Sequence, residues 1–439
     1  MHHPGRIIAS AFFSAIVIGT GLLSLPLATQ TGERPHFVDA VFTATSAVSL
    51  TGHITVDTGG HWSVFGEVVI LLLLQVGGLG IMTLATLFLL VVSKRIGVRA
   101  RLIAQAETKT LSAPEVRRVV RNIVLFSLTA EAIVAVVLTS RFALTYDRPL
   151  GNAAYHGVFH AVSAFNNGGF SLYANNLMDY VADPVISLTV LIAFSVGGLG
   201  FPVVFELARS WRRPREWSVT TRITVWTTVA LTVIGTLVFL AAEHANPATL
   251  KPLSGPGKLL ASLFAAASPR SGGFNTLDVS QMTEESWLAS DILMFIGGGS
   301  AGTAGGIKVT TFGLLAFVIW SELRGERHVH VGRRRIPESN QRQALAIALI
   351  SVGVVVVSTF VMTSITGLPF DRVLFEVISA WGTCGLSTGI TPELPDAGHL
   401  LMTVLMFVGR VGPLTLFSAL ALRETTRRFE LPEERTIVG

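Results

Sequence analysis

The chain has 439 residues, of which half are hydrophobic and only 14% are charged. With a mean hydropathy of +0.59, this composition excludes an ordinary soluble domain and indicates a protein that crosses a membrane several times. The formal net charge of +5 does not indicate a nucleic-acid partner, because the arginines cluster in short loops between apolar segments. A single cysteine, Cys384, excludes an intrachain disulfide framework.

Eight apolar segments are long enough to cross a bilayer as helices. Their approximate bounds are 6–29, 64–93, 117–143, 184–209, 219–243, 287–320, 342–366 and 399–422. Lysine and arginine concentrate after the even-numbered segments, as at Lys94, Arg212 and Arg334, and are sparse in the other loops. The chain is therefore predicted to lie in the cytoplasmic (inner) membrane with both termini in the cytoplasm.

Between the two segments of each consecutive pair lies a shorter apolar stretch that ends in glycine. Such stretches are too short to span and are predicted to be re-entrant loops that enter from the outside. Aligned with one another, they are "SAVSLTGH" from Ser46, "SAFNNGGF" from Ser163, "AASPRSGGF" from Ala266 and "SAWGTCGL" from Ser379. A glycine takes the same place in each copy, at Gly52, Gly169, Gly273 and Gly385.

A second motif follows each of these glycines. It is "VGGLG" at 76–80 and at 196–200, "IGGGS" at 296–300 and "VGRVG" at 408–412. Glycines alone often serve helix packing in membranes, but four copies of both motifs in register indicate an internal repeat. The predicted fold is all-α, with four pseudo-symmetric helix–pore-loop–helix repeats around one central pore. The predicted repeats are 1–93, 94–210, 211–325 and 326–439, and the last includes a short cytoplasmic tail.

Glycine at one position in four re-entrant loops is typical of a selectivity filter for an alkali cation. Backbone carbonyls in such a filter replace the hydration shell of the ion, and glycine permits the dihedral angles that aim them at one axis. The residues just before the glycines would add a second ring of carbonyls. The predicted filter residues are Thr51, Gly52, Gly168, Gly169, Gly272, Gly273, Cys384 and Gly385. The apolar stretches before them are predicted pore helices, whose C-terminal dipole ends favour cations.

A glycine-rich segment, "GGGSAGTAGGIK" at 297–308, interrupts the sixth apolar segment. Its helix propensity is poor, and irregular backbone survives at membrane depth only where it is buried or lines a cavity. A phosphate-binding loop is excluded because Lys308 is followed by Val309 instead of Ser or Thr. The segment is predicted to obstruct the pore below the filter and to move aside, with a plain helix kink as the alternative. The predicted gate residues are Gly297, Gly298, Gly299, Ser300, Ala301, Gly302, Thr303, Ala304, Gly305 and Gly306, with Lys308 and Arg410.

Arg410 replaces the second glycine of the "VGGLG" motif in the last apolar segment. An arginine inside the membrane is costly and usually faces the protein interior or a cavity. The prediction is a positive charge below the filter that opposes cations and holds the gating segment through its carbonyls. The alternative is a structural arginine that caps a neighbouring helix, while Lys308 fits either the gate or the cytoplasmic vestibule.

The motifs "AFNNGGFSL", "SPRSGGFNT", "GTCGLSTG", "GSAGTAGGIKVTTF" and "MFVGRVGPLTL" carry a family resemblance. The chain resembles the Trk/Ktr/HKT superfamily of potassium transporters, most closely the bacterial Ktr-type membrane subunit, over nearly its whole length. This resemblance implies potassium uptake, with potassium held by the filter carbonyls, and an intramembrane gating loop at 297–308. Plant HKT-like members can have serine where Gly52 stands and favour sodium, so Gly52 favours potassium. His53 departs from the apolar residue that usually follows.

The resemblance also implies a homodimer and a separate cytosolic ring of nucleotide-binding RCK-type subunits. Basic loops such as "GERHVHVGRRR" fit a docked protein or anionic membrane lipid equally well. Neither nucleic acid nor an organic cofactor is expected, and sodium stays open as an activator. The alternatives are a Trk-type or sodium-permeable HKT-like transporter, a coupled transporter with inverted repeats, and a membrane enzyme. Repeats of one orientation disfavour the coupled transporter, and the absence of a catalytic cluster disfavours the enzyme.

Overall fold

The computed structural model describes residues 4–96, 113–326, 328–332 and 334–412, and these are mostly helical. The helices are α1 (Pro4–Leu23), α2 (Phe37–Ser49), α3 (Thr58–His61), α4 (Val64–Ile96), α5 (Ala113–Thr145), α6 (Leu150–Phe165), α7 (Pro184–Leu199), α8 (Phe201–Ser210), α9 (Val219–Glu243), α10 (Gly255–Ala267), α11 (Glu284–Ile296), α12 (Val309–Leu323), α13 (Glu338–Thr366), α14 (Phe370–Gly382) and α15 (Asp396–Val411). Two short antiparallel strands, β1 (His330–Val331) and β2 (Arg334–Arg335), form a hairpin between α12 and α13.

Three helices in the described part are long and apolar enough to cross a membrane, in α5, α9 and α13. The bent pair formed by α7 and α8 is a fourth span if its two helices cross as one, and a re-entrant loop if they do not. Helices α1, α4, α11 with α12, and α15 occupy the other predicted segments, and their crossing stays a prediction. The end of the last segment, at 413–422, lies outside the described residues, as do the predicted tail and most of the basic loop after α4.

The prediction of one continuous helix over 184–209 is wrong. Helix α7 ends at Leu199, and α8 leaves it at an angle of 103°. Gly200 makes the turn with φ 91° and ψ 139°, a backbone conformation that residues with a Cβ atom rarely adopt. A Cβ atom on Gly200 would contact the carbonyl oxygen of Ser300, so the bend forms where the glycine-rich segment approaches the helix. Gly412 ends α15 in nearly the same conformation, with φ 89° and ψ 134°.

The outer faces of the long helices are apolar and exposed. Phe13 of α1, Ile133 of α5, Ile234 of α9 and Phe360 of α13 are each more than half exposed. In a protein surrounded by water such extensive apolar exposure marks an interaction surface, and on several long apolar helices it indicates contact with lipid. The short helices α2, α6, α10 and α14 lie inside this shell, and the residues near their C-terminal ends are buried.

Candidate functional site

The backbone takes one conformation in all four glycine segments. The residue two positions before each glycine is left-handed, with φ of 57° at Leu50, 58° at Asn167, 89° at Ser271 and 47° at Thr383. The glycines themselves have φ of 88° at Gly52, 68° at Gly169, 71° at Gly273 and 93° at Gly385. A leucine with a positive φ is uncommon, because its Cβ meets the backbone there. The surrounding structure therefore imposes this conformation, and it does so in each of the four segments.

The N–H group just before each glycine bonds back to the short helical stretch that precedes it. These bonds run from Thr51 to the Ser46 carbonyl at 2.8 Å, Gly168 to Ser163 at 2.7 Å, Gly272 to Ser268 at 2.6 Å and Cys384 to Ser379 at 2.9 Å. Buried backbone groups need partners, and here the donors are already satisfied by the short helices. Among the described residues, the carbonyls of Thr51, Gly168, Gly272 and Cys384 accept no hydrogen bond, whereas those of Ser271 and Thr383 accept side-chain donors.

The serine of the repeated motif supports the backbone of the glycine segment in the first and fourth copies. The Ser46 hydroxyl accepts the N–H of Gly52 at 3.1 Å, and the Ser379 hydroxyl accepts the N–H of Gly385 at the same distance. Each bond holds a glycine N–H away from the neighbouring segments. The Ser-Ala pair in the sequence was the signal of this role, which sequence reasoning did not assign.

In the second and third segments the serine acts as a donor instead. The Ser163 hydroxyl donates to the carbonyl of Phe170 at 2.8 Å, and that of Ser268 donates to the carbonyl of Phe274. Ser268 comes one residue later than its counterparts relative to the glycine, because α10 passes into a 3-10 turn at Ser268–Arg270. The offset explains why the third copy lacks the Ser-Ala pair and still keeps the contact.

The four segments meet each other in a closed ring. A Cβ atom added to any of the four glycines would press on backbone of another segment: Gly52 on the Gly168 carbonyl oxygen at 2.6 Å, Gly169 on the Gly273 Cα at 2.9 Å, Gly273 on the Cys384 carbonyl oxygen at 2.5 Å and Gly385 on the Thr51 carbonyl oxygen. The contacts run from the first segment through the second, third and fourth back to the first. The structure thus brings all eight sequence-predicted filter residues together.

Two of these residues, Thr51 and Cys384, have polar side chains that contact other groups of the protein. The Thr51 hydroxyl lies 2.7 Å from the hydroxyl of Ser49, and the buried Cys384 thiol lies 3.7 Å from the Ser268 carbonyl oxygen. Both side chains are fully buried in protein. The backbone is therefore the part of Thr51 and Cys384 that matches the glycines of the other segments.

The glycine-rich segment at 297–308 lies against the broken end of α7. The N–H of Gly299 donates to the Gly198 carbonyl at 2.8 Å, and the N–H of Thr303 donates to the Gly197 carbonyl at 3.2 Å. At its base, the N–H of Val309 donates to the Gly298 carbonyl at 2.9 Å. The segment is thus a compact loop between α11 and α12, docked on the bend at Gly200.

Two basic side chains, the buried Arg410 and the half-buried Lys308, hold adjacent carbonyls of this loop. Arg410 donates through Nη1 to the Thr303 carbonyl, and Lys308 donates through Nζ to the Ala304 carbonyl. Arg410 is 4% exposed, and its Nε and Nη2 have no hydrogen-bond partner among the residues described. The guanidinium contact with the loop favours a tether over the capping of a neighbouring helix.

His53, which follows Gly52, belongs to a buried polar cluster. Its Nδ1 lies 3.4 Å from the Thr391 hydroxyl and 3.6 Å from Oε2 of Glu376. The Glu376 carboxylate also accepts the Ser387 hydroxyl at 2.6 Å and the Thr388 N–H at 2.9 Å. Sequence reasoning noticed His53 as a departure and missed Glu376, whose partners are brought to it by the fold.

Comparisons with known proteins identify the family of the chain. The model of the TrkH family, described as cation transport protein, matches residues 1–427. The chain is 40% identical over 436 residues to Ktr system potassium uptake protein B of Bacillus subtilis (strain 168), over 99% of this chain and 97% of that one. It is 38% identical over 435 residues to the protein of the same name from Vibrio alginolyticus, over 99% of this chain and 94% of that one.

The fold is also that of a solved transporter. The crystal structure of the potassium transporter TrkH from Vibrio parahaemolyticus matches 94% of this chain and 85% of its own, with a TM-score of 0.73 at 20% sequence identity. The resemblance seen in the motifs is thereby confirmed at the level of family and fold. Because the family model spans nearly the whole chain, this multi-pass membrane protein belongs to the TrkH family of cation transport proteins.

Proposed function

We propose that this protein takes up potassium across the cytoplasmic membrane as the ion-translocating subunit of a Ktr-type system. The observation that carries the proposal is the closed ring of four glycine segments with one shared backbone conformation. In all four segments the N–H group just before the glycine is already bonded, and the carbonyl oxygens beside it can replace the hydration shell of an alkali ion. The similarity to two proteins named Ktr system potassium uptake protein B supports potassium as the ion.

The proposed pore is built from four repeats, 1–93, 94–210, 211–325 and 326–439. In each repeat, a short helix (α2, α6, α10 or α14) precedes the glycine segment along the chain, and we propose that it enters from the outside and ends below the filter. The carbonyl ends of four short helices would then point toward one place, and the partial negative charge there favours a cation. The eight crossings and the cytoplasmic position of both termini belong to the same proposal.

The loop at 297–308 is the proposed gate, and its present position is the closed one. Arg410 and Lys308 each hold one of its carbonyls, and the N–H groups of Gly299 and Thr303 anchor it on α7. Since Arg410 lies in a poorly hydrated interior, its charge would also oppose a permeating cation. Opening requires the loop to leave α7 and both cations at once.

The proposed assembly is a homodimer that docks a cytosolic ring of RCK-type subunits. The hairpin of β1 and β2 lies in the basic loop after α12, with the Arg334 and Arg335 side chains exposed. Val329, Val331 and Ile336 of the hairpin region pack on Ile223 of α9. This packing holds the exposed basic face of the hairpin in a fixed position. Such a surface suits an acidic protein partner or anionic lipid.

Rubidium uptake by liposomes that contain the purified chain tests this function. We expect uptake that potassium inhibits strongly and sodium weakly, with protein-free liposomes as the control. Equal inhibition by sodium would favour a sodium-permeable transporter. An absence of ion uptake by folded protein would overturn the proposal.

Changing Arg410 to alanine is expected to raise the rate of uptake. The change removes one tether of the loop and one positive charge beside the ion path. A hydrogen bond to a charged group contributes about 1.5–3 kcal/mol, which corresponds to a rise of about tenfold or more in the open population. The measurement is initial rubidium uptake at matched protein amounts.

Two matched variants separate the charge from the tether. Arg410→Gln keeps an N–H donor without the charge, and Arg410→Lys keeps the charge without the planar donor group. We expect both to lie between the wild type and the alanine variant. If the alanine variant transported at or below the wild-type rate with normal expression, Arg410 would be a structural residue and not part of a gate.

A further inference from the structure

Asn167 makes a hydrogen bond on each side of its amide group. Its Oδ1 accepts the Thr303 hydroxyl of the loop at 2.6 Å, and its Nδ2 donates to the Ser271 carbonyl at 2.8 Å. Only one orientation of the amide satisfies both partners, because the oxygen accepts and the nitrogen donates. Asn167 is 1% exposed, so water does not compete for either bond. One side chain therefore bridges the loop and a neighbouring filter segment.

The Ser271 carbonyl lies at the inner end of the filter segment in the proposed topology. The short helix enters from outside and the chain then returns outward, so Ser271 is deeper than Gly272 and Gly273. The loop approaches from that same side. The bridge continues further, because the Ser271 hydroxyl donates to the Thr383 carbonyl of the fourth segment at 3.2 Å.

Asn167 differs from its equivalents in the other segments. The four equivalent left-handed residues are Leu50, Asn167, Ser271 and Thr383. Leu50 has no polar group, the Ser271 hydroxyl bonds to the fourth segment, and the Thr383 hydroxyl has no partner among the residues described. Within the described part of the chain, the bond from this position to the loop belongs to the second repeat alone.

We propose that Asn167 is a positioning residue that couples the gating loop to the selectivity filter. When the loop leaves, the Thr303 hydroxyl leaves with it, and Oδ1 of Asn167 loses its partner. The amide is then free to turn, and the Ser271 carbonyl is released at the inner end of the filter. Ion selectivity thus depends on the position of the loop. This inference rests on the proposed filter and gate.

Three single substitutions and one double substitution test the coupling. Thr303→Val removes the hydroxyl at nearly constant volume. Asn167→Ser makes the side chain too short to reach either the Thr303 hydroxyl or the Ser271 carbonyl. Serine is compatible with this left-handed position, since Ser271 occupies the equivalent position in the third segment. The matched control is Thr310→Val, which removes a hydroxyl that lies 2.7 Å from the Ser300 hydroxyl of the same loop and has no bond to the filter. The measurements are the equilibrium binding of rubidium to the purified protein with the loop closed, the competition of sodium for that binding, and the maximal rate of rubidium uptake by proteoliposomes.

We expect Thr303→Val and Asn167→Ser each to lower the preference for rubidium over sodium in binding to the closed protein by about fivefold, the effect of one lost hydrogen bond, because the bridge exists only while the loop is docked. The double variant should lose no more than either single variant, because the bridge is broken once. Thr310→Val should change the maximal rate and leave selectivity as in the wild type.

Wild-type selectivity in Thr303→Val would overturn the coupling, whatever its rate, and so would a loss seen in Asn167→Ser alone. If Asn167→Ser fails to assemble, the comparison of Thr303→Val with Thr310→Val decides. Failure of the proposed function is distinguishable, because the wild-type protein itself would then show no selective uptake.

Discussion

Replacing Gly385 with serine is expected to remove most of the preference for potassium over sodium. Gly385 has φ 93°, and a Cβ atom there would contact the carbonyl oxygen of Thr51, a proposed ion ligand. Serine therefore displaces one member of the carbonyl ring directly, besides straining its own backbone. The loss should appear as strong inhibition of rubidium uptake by sodium.

The same change at the other ring positions should give a graded loss. An added Cβ has the least severe contact at Gly169, where the nearest atom is the Gly273 Cα at 2.9 Å, so Gly169→Ser should retain the most selectivity. Gly389→Ser is the matched control, because Gly389 has φ 94° and its nearest neighbour, the Ser280 Cβ, is 3.8 Å away. Wild-type selectivity in Gly385→Ser would refute the ring. An equal loss in Gly389→Ser would assign the effect to strain alone.

Deleting Gly299 to Gly305 is expected to raise ion flux by about tenfold or more and to make it independent of a cytosolic partner. The deletion removes both carbonyls that Arg410 and Lys308 hold. These two hydrogen bonds favour the closed position of the loop, so their loss shifts the closed–open equilibrium toward the open state. Rubidium uptake with and without the partner measures both effects.

The structure shows that the deletion can be closed. Gly298 accepts the Val309 N–H at 2.9 Å, and a Cβ on Gly297 would lie 3.0 Å from the Ile307 carbonyl oxygen, so the two ends of the loop already touch. Loss of folded protein would indicate that the loop is a packing element. Folded protein with unchanged, partner-dependent flux would end the gate hypothesis.

A point variant tests the loop without shortening it. Alanine favours helix over glycine by about 1 kcal/mol, which predicts an altered gate at Gly302 without giving the direction. In the structure a Cβ on Gly302 would lie 2.6 Å from the Gly198 carbonyl oxygen, so Gly302→Ala disfavours the docked loop and should raise flux. Gly353→Ala, where an added Cβ meets nothing within 4 Å, should leave flux unchanged.

The sequence by itself determined the class of the protein, the four glycine segments and the place of the glycine-rich loop. These features follow from local requirements. A membrane helix needs a long apolar run, and a left-handed backbone with close neighbours needs glycine. Because the pattern recurs four times at similar spacing, Gly52 and its three counterparts could be recognised as equivalent positions without any contact information.

Only the tertiary structure decided how these parts act on each other. The apolar run across 184–209 looks like one helix, and its bend at Gly200 appears only when Ser300 is brought against it. The bond from Thr303 to Asn167 joins residues 136 positions apart. Neither contact produces a periodic pattern in the sequence. A contact between distant segments constrains one residue on each segment and does not constrain the neighbouring residues.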